Sequence, residues 1–210
     1  MENEHIEKLK SVIKGKLAVF IDAANLEQSA KGMFVRPDEM PRELKHLSTD
    51  KVGWFVDYKC FADFFHSMGN VTKIRYFTPE LNSEGHKKFR AFLKNGLRFK
   101  LQTKPLKEYA DHTADKPHRK ANFDVEIATD ATHLTNTYDT LILFSGDCDF
   151  EYLIKFLRGQ SKVVIGFSRA GHIARELPPV LSEYFDIANF RSIFMKIKAK
   201  NPGQSPGSRS

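Results

Sequence analysis

Four apolar residues, Leu141-Ile142-Leu143-Phe144, run without polar interruption into Ser145-Gly146-Asp147-Cys148-Asp149-Phe150. An apolar run with no alternation reads as a strand buried on both faces, and Gly146 punctuates its end. Downstream, apolar residues at 150, 153, 154 and 157 have the spacing of an amphipathic helix. Asp147 and Asp149 therefore stand where a buried strand gives way to a helix. Ligands of open parallel sheets bind at the carboxyl ends of strands, so this acidic pair reads as part of a divalent-metal site.

The rest of the chain repeats the strand-then-helix pattern. Strands are expected over 17–21, 71–77, 97–103, 140–144 and 162–167, with an edge strand over 185–188. Helices are expected over 54–67, from Asn82 or Ser83 to Asn95, and over 123–134. Such alternation forms βαβ units, which impose a parallel sheet with helices on both faces. The fold class is thus α/β, a three-layer α/β/α sandwich with a central, mostly parallel sheet. Residues 1–16 form a helical extension with Ile6, Leu9 and Ile13 on one face, 17–190 the α/β domain, and 191–210 a basic tail. Within that tail Ile193, Phe194 and Ile197 suit a helix, and the Pro-, Gly- and Ser-rich end from Asn201 suits disorder. The 31–52 stretch reads as a long loop or lid, and 104–120 as an exposed loop.

Charge is segregated. Between Glu84 and Lys120 there are eleven Lys or Arg against four acids, and from Arg191 onward five basic residues and no acid. With the whole chain at +7, the remainder is net acidic. A basic face beside an acidic remainder is the electrostatic footprint of a nucleic-acid binder, although a merely Lys-rich solvated surface gives the same count. No apolar run reaches the roughly 20 residues of a membrane helix. Cys60 and Cys148, the only cysteines, suggest no disulfide framework, and the expected compartment is the reducing cytoplasm.

Asp22 closes the first strand, and if both strands are central it shares a sheet edge with Asp147 and Asp149. Asp124 opens the helix preceding the 140–144 strand. Singly, each acid has a plain alternative: Asp124 as a helix-start acid favoured by the dipole, Asp147 as an N-cap. Together they would repel unless a cation compensates. Hard oxygen ligands suit Mg²⁺ or Mn²⁺, and the scattered histidines offer no zinc set. Asp130 lies six residues beyond Asp124, about 120° away around the axis, and is expected as an outer-sphere acid or plain helix surface. Glu126 is expected to be solvated.

These motifs carry a resemblance. Phe20-Ile21-Asp22-Ala23-Ala24-Asn25-Leu26, Lys120-Ala121-Asn122-Phe123-Asp124-Val125-Glu126, Ala128-Thr129-Asp130-Ala131 and Ser145-Gly146-Asp147-Cys148-Asp149-Phe150 resemble the NYN domain. The likeness is to its bacterial LabA-like branch, within the PIN-like nuclease superfamily. The resemblance implies a Rossmann-like sandwich, metal-dependent ribonuclease activity and a metal site on Asp22, Asp124, Asp147 and Asp149. It also carries the strand-one Asn to Asn25 and the helix acid to Asp130. Two positions depart from the family, Ala23 and Ala121 standing where Gly is usual, which Ala tolerates only at negative φ.

The expected chemistry is phosphodiester hydrolysis at a Mg²⁺ or Mn²⁺ site on those four acids. Asn25 is placed to bond a phosphate or a ligating carboxylate, or else to cap the turn. Ser145 either orients Asp147 or is a backbone-bonded strand-end hydroxyl. Lys87, Lys88, Arg90, Arg98, Lys104, Arg119 and Lys120 are candidate contacts to single-stranded RNA. The rivals are an RNA-binding or regulatory module with weak turnover, and a glycosyltransferase using Asp-X-Asp, which leaves Asp22 and Asp124 unexplained. A haloacid-dehalogenase-type phosphatase needs Asp-X-Asp after strand one, where residue 24 is Ala. The oligomeric state, a homodimer included, stays open.

Overall fold

Apolar residues that fill both faces of consecutive strands have only one place to go, the middle of a layered sandwich. The computed structural model describes residues 2–109 and 118–200, with the backbone alone at 2, 107–109 and 118–120. Helix α1 (Glu2–Val12) leads into strand β1 (Lys16–Asp22) and helix α2 (Ala23–Lys31). Strand β2 (Val52–Val56), helix α3 (Tyr58–Met68), strand β3 (Asn70–Glu80) and helix α4 (Glu84–Ala91) follow, with a wider turn over Phe92–Gly96 continuing α4. Next come β4 (Lys100–Pro105), β5 (Lys107–Tyr109), β6 (His118–Lys120), α5 (Asp124–His133) and β7 (Thr140–Phe144). The chain finishes through α6 (Glu151–Gly159), β8 (Val163–Ser168), α7 (Leu177–Val180), β9 (Glu183–Asp186), α8 (Arg191–Phe194) and β10 (Met195–Ala199).

Six strands form the central sheet in the order β4-β3-β1-β7-β8-β9, and all five pairings are parallel. The expected α/β/α architecture is therefore present. Alternation along each strand divides the interior in two. Leu17, Val19 and Ile21 of β1, with Ile142 and Phe144 of β7, face α1, α2 and α3. Ala18, Phe20, Leu141 and Leu143 face α5 and α6. The first layer is aromatic-rich: Phe61 and Phe65 lie 4.7 Å apart, and Phe144 stacks on Phe167 at 4.9 Å.

Several sequence expectations are corrected. Trp54 and Phe55 belong to β2, not to a helix, and β2 pairs antiparallel with β10 in a separate two-stranded sheet. Of the three tail residues expected on a helix, Ile193 and Phe194 lie in α8, whereas Ile197 belongs to that partner strand, β10. The stretch 31–52 is packed on the domain: Met33, Val35 and Met40 are buried in the first layer, three short 3-10 turns follow Arg36, and Arg191 ties the stretch down through Glu39 Oε1 at 2.6 Å. Within 104–120, β5 and β6 pair antiparallel, Lys107 opposite Lys120. At the end of α4, Leu93 is buried while Phe92 is 46% exposed. The 201–210 end lies outside the described residues.

Candidate metal centre

β1 is followed in the sheet by β3 on one side and β7 on the other. Successive connections thus leave in opposite directions from β1, which opens a crevice at the carboxyl ends of β1 and β7. Ile21 pairs with Phe144, so the next residues, Asp22 and Ser145, emerge side by side. Each is turned by local chemistry. Asp22 caps α2, its Oδ1 accepting from the amides of Ala24 (3.0 Å) and Asn25 (3.4 Å). Ser145, buried at 2% exposure, accepts from the Asp147 amide at 3.3 Å, and Asp147 Oδ1 accepts from the Asp149 amide at 3.1 Å. Ser145 therefore holds the turn that aims Asp147.

Gly146 explains why the turn contains no larger residue. A Cβ there would stand 2.2 Å from the carbonyl oxygen of His172 and 3.0 Å from Ile173 Cα. The 168–174 loop presses directly on it, and the Gly146 carbonyl accepts from the Ala174 amide at 2.9 Å.

Asp124 arrives from the other layer. Phe123 and Ile127 are buried against β1 and β7, which lays the first turn of α5 on the same edge, and Asn122 Oδ1 accepts from the Asp124 amide at 2.9 Å. The Asp22 carboxyl is pushed up to about 6, first by burial and further by the charges of Asp124 and Asp147, against its two backbone hydrogen bonds. Acids from two other elements, Asp124 of α5 and Asp147 after β7, thus each act on Asp22. Asp147, Cys148 and Asp149 form a tighter group, their ligand atoms all within 4.8 Å. Asp22 and Asp124 are outside that group; Asp22 is within electrostatic reach of both Asp124 and Asp147.

The remaining expected residues divide. Asn25 is half-buried on the first turn of α2. Asp130 is not at the acidic edge; it forms an ion pair with Arg75 of β3. Glu126 is not simply solvated, since Lys104 Nζ reaches it at 2.7 Å and sits 4.7 Å above the Phe123 ring. Arg90 is paired with Glu80 at 3.7 Å. Lys87, Lys88 and Arg98 are exposed near the β4 edge, Lys88 also reaching Glu84 at 3.9 Å along α4, and the side chains of Arg119 and Lys120 lie outside the described residues. Neither Ala23 nor Ala121 has positive φ, so both departures from Gly are accommodated without strain. Residues that sequence reasoning passed over are Asn122, whose Asx cap starts α5, and the outward-facing Tyr152 and Phe156 of α6 (81% and 39% exposed). The sequence does carry their signal: they are four residues apart on the face opposite the apolar stripe.

A parallel α/β/α sandwich with acids at the carboxyl ends of its central strands defines a Rossmann-like class of α/β proteins. Within that class, the NYN domain matches residues 16–188, and the chain belongs to that family, a PIN-like nuclease family. The "Low amplitude and bright protein LabA" of Synechococcus elongatus is 29% identical over 190 residues, covering 89% of this chain and 91% of the relative. The crystal structure of a protein of unknown function from Vibrio parahaemolyticus shares the fold, with a TM-score of 0.63 and 21% identity over 87% of this chain and 97% of that one. Among the described residues no helix is long and apolar enough to cross a membrane.

Proposed function

We propose that the acidic edge is a Mg²⁺ or Mn²⁺ site at which RNA phosphodiester bonds are hydrolysed. The observation that carries this reading is the Asp22 carboxyl, raised to about 6 beside Asp124 and Asp147. Burying mutually repelling carboxylates at a sheet edge costs stability that a bound cation offsets. The donor set fits: carboxylate oxygens suit a hard divalent ion. Cys148 is the one thiol in the group and no imidazole joins it, so the group is no soft-ion set. Membership of the NYN family supports RNA as the substrate.

Asp22, Asp124 and Asp147 would hold the cation, and Asp149, exposed on the rim, would join through water or directly. When bound, such an ion stabilises charge on the scissile phosphate and lowers the pKa of an attacking water. The chain's own residues do the positioning. The Ala24 and Asn25 amides fix Asp22, and Ser145 fixes the Asp147 turn. Lys87, Lys88 and Arg98 attract the phosphate backbone.

The test is incubation with single-stranded RNA, double-stranded RNA and DNA in Mn²⁺, beside an Asp22→Asn/Asp147→Asn double variant. Cleavage of RNA that disappears in EDTA and in the variant is expected. RNA binding in EDTA with no cleavage after Mn²⁺ addition overturns the catalytic reading in favour of a binding module.

A further inference from the structure

A cavity of about 690 Å³ opens between α5 and α6, immediately beside the acidic edge. Thr129, Thr132 and His133 line one wall, and Asp149, Tyr152 and Phe156 the other. Two observations separate it from an ordinary seam between helices. The first is continuity: Asp149 belongs both to this groove and to the acidic group with Asp147. The second is exposure. On a helix whose buried stripe is Leu153, Ile154 and Leu157, Tyr152 is 81% and Phe156 39% exposed. Residues four apart on a helix lie on one face, one above the other, so both rings stand on the side of α6 that lines the groove.

A second copy of the chain is a poor occupant. A stable interface engages roughly 20–30 residues a side, whereas the exposed large apolar residues here are Tyr152, Phe156 and nearby Val125. The groove's volume instead falls in the range of small-ligand sites, about 300–1,000 Å³. Its lining joins the Tyr152 and Phe156 rings, the apolar Ala128 and Leu153, two threonine hydroxyls, an imidazole and the Asp149 carboxylate, and flat rings beside edge-bonding groups are the chemistry that recognises a nucleobase by its π-face and its edge.

We infer that this groove is a nucleobase subsite, in which a base next to the scissile phosphate stacks on Tyr152. Thr129, Thr132 and His133 are placed to bond the edge of that base. The inference rests on the ribonuclease reading of the acidic edge and deepens it. A base in this groove must be splayed out of any duplex stack, so the substrate class is single-stranded RNA. Recognition by stacking tolerates every base, so selectivity among sequences is weak.

The experiment measures cleavage in Mn²⁺ of a short single-stranded RNA and of copies carrying one abasic position each. The proteins are wild type, Tyr152→Ala and Tyr152→Phe. Tyr152→Ala is expected to raise KM by about 5- to 150-fold, the range of one base–aromatic stack, while Tyr152→Phe stays near wild type. One abasic position should reproduce the effect in the wild type and add nothing in Tyr152→Ala. Because Tyr152 is exposed, the thermal midpoint should not move. If the wild type cleaves RNA and Tyr152→Ala cleaves it equally well, or the two effects simply add, the groove assignment is overturned alone. If the wild type neither binds nor cleaves RNA, the ribonuclease reading falls and takes this one with it. Sedimentation showing a dimer that Tyr152→Ala abolishes, with RNA kinetics unchanged, would also overturn it.

Discussion

The Arg75 guanidinium on β3 pairs with the Asp130 carboxylate on α5, under the sheet and not at its edge. Arg75 pairs in register with Phe20, two residues before Asp22 meets Phe77, which sets it about 7 Å short of the end of β1. The guanidinium also lies 5.9 Å from the Phe20 ring centroid and 5.8 Å from that of Phe77. Both side chains are largely covered, at 17% and 25% exposure, so removing one partner strands a charge in a poorly hydrated place. Asp130→Ala should cost about 1–3 kcal/mol in denaturant unfolding, between the surface and buried limits for ion pairs. Mn²⁺ affinity, measured by calorimetry, should be little changed; a large drop would return Asp130 to the metal site.

The raised Asp22 carboxyl makes stability depend on pH with a definite sign. Its folded value of about 6 lies above the ordinary 3.8, so between those values the folded protein holds a proton that the unfolded chain has released. Stability therefore falls as pH rises through that window and levels off above about 6. Metal-free Asp22→Asn should accordingly melt higher than metal-free wild type at pH 7, with the gap closing towards pH 4. Protons and Mn²⁺ compete for the same carboxyl, so wild-type affinity should weaken as pH drops below about 6.

Gly146→Ala should be far worse than an Ala replacement on an open surface. Its Cβ would collide with backbone of the 168–174 loop at 2.2 Å, and backbone cannot swing aside as a side chain can. The loop must move, at a cost of about 1–3 kcal/mol for overpacking, and the Asp147 turn moves with it. Calorimetry should show both a lower melting point and weaker Mn²⁺ binding.

The basic residues near the β4 edge should not behave alike. Lys104 is engaged with Glu126 and Phe123, whereas Lys87 is exposed on α4. Removing a cation that neutralises one phosphate lowers the salt slope of single-strand binding by about 0.7. Lys87→Ala and Lys88→Ala should each reduce that slope, measured by anisotropy across a salt series. Lys104→Ala should instead cost about 1 kcal/mol of stability, as for a partly exposed pair with a ring contact, and barely change the slope.

The strands that carry the acids were readable because they are buried on both faces and their apolar runs have no competing period. Asp22 and Asp147 followed from where those runs end. β2 was not readable: Val52-Gly53-Trp54-Phe55-Val56 abuts the apolar face of α3 in sequence, and its partner β10 lies at the far end of the domain. Local pattern cannot report a pairing of that range. The same holds for Asp130 and Glu126, whose partners Arg75 and Lys104 come from strands packed beneath α5. Helical phase alone could place them around the axis but not say what stood opposite. Gly146 announced a turn, yet its second job, letting the His172 backbone approach, belongs to a loop that only the fold brings near.

The pairing of β10 with β2 has a consequence for where the chain can be cut. Ending it at Phe190, where the sequence suggests a boundary, would remove Phe194 and Met195 from the first layer. It would also leave Val52–Val56 without its ladder partner. A bare strand edge carrying Val52 and Trp54 invites pairing with other chains. Truncation there should yield aggregates, whereas stopping after Lys200 should keep the protein soluble.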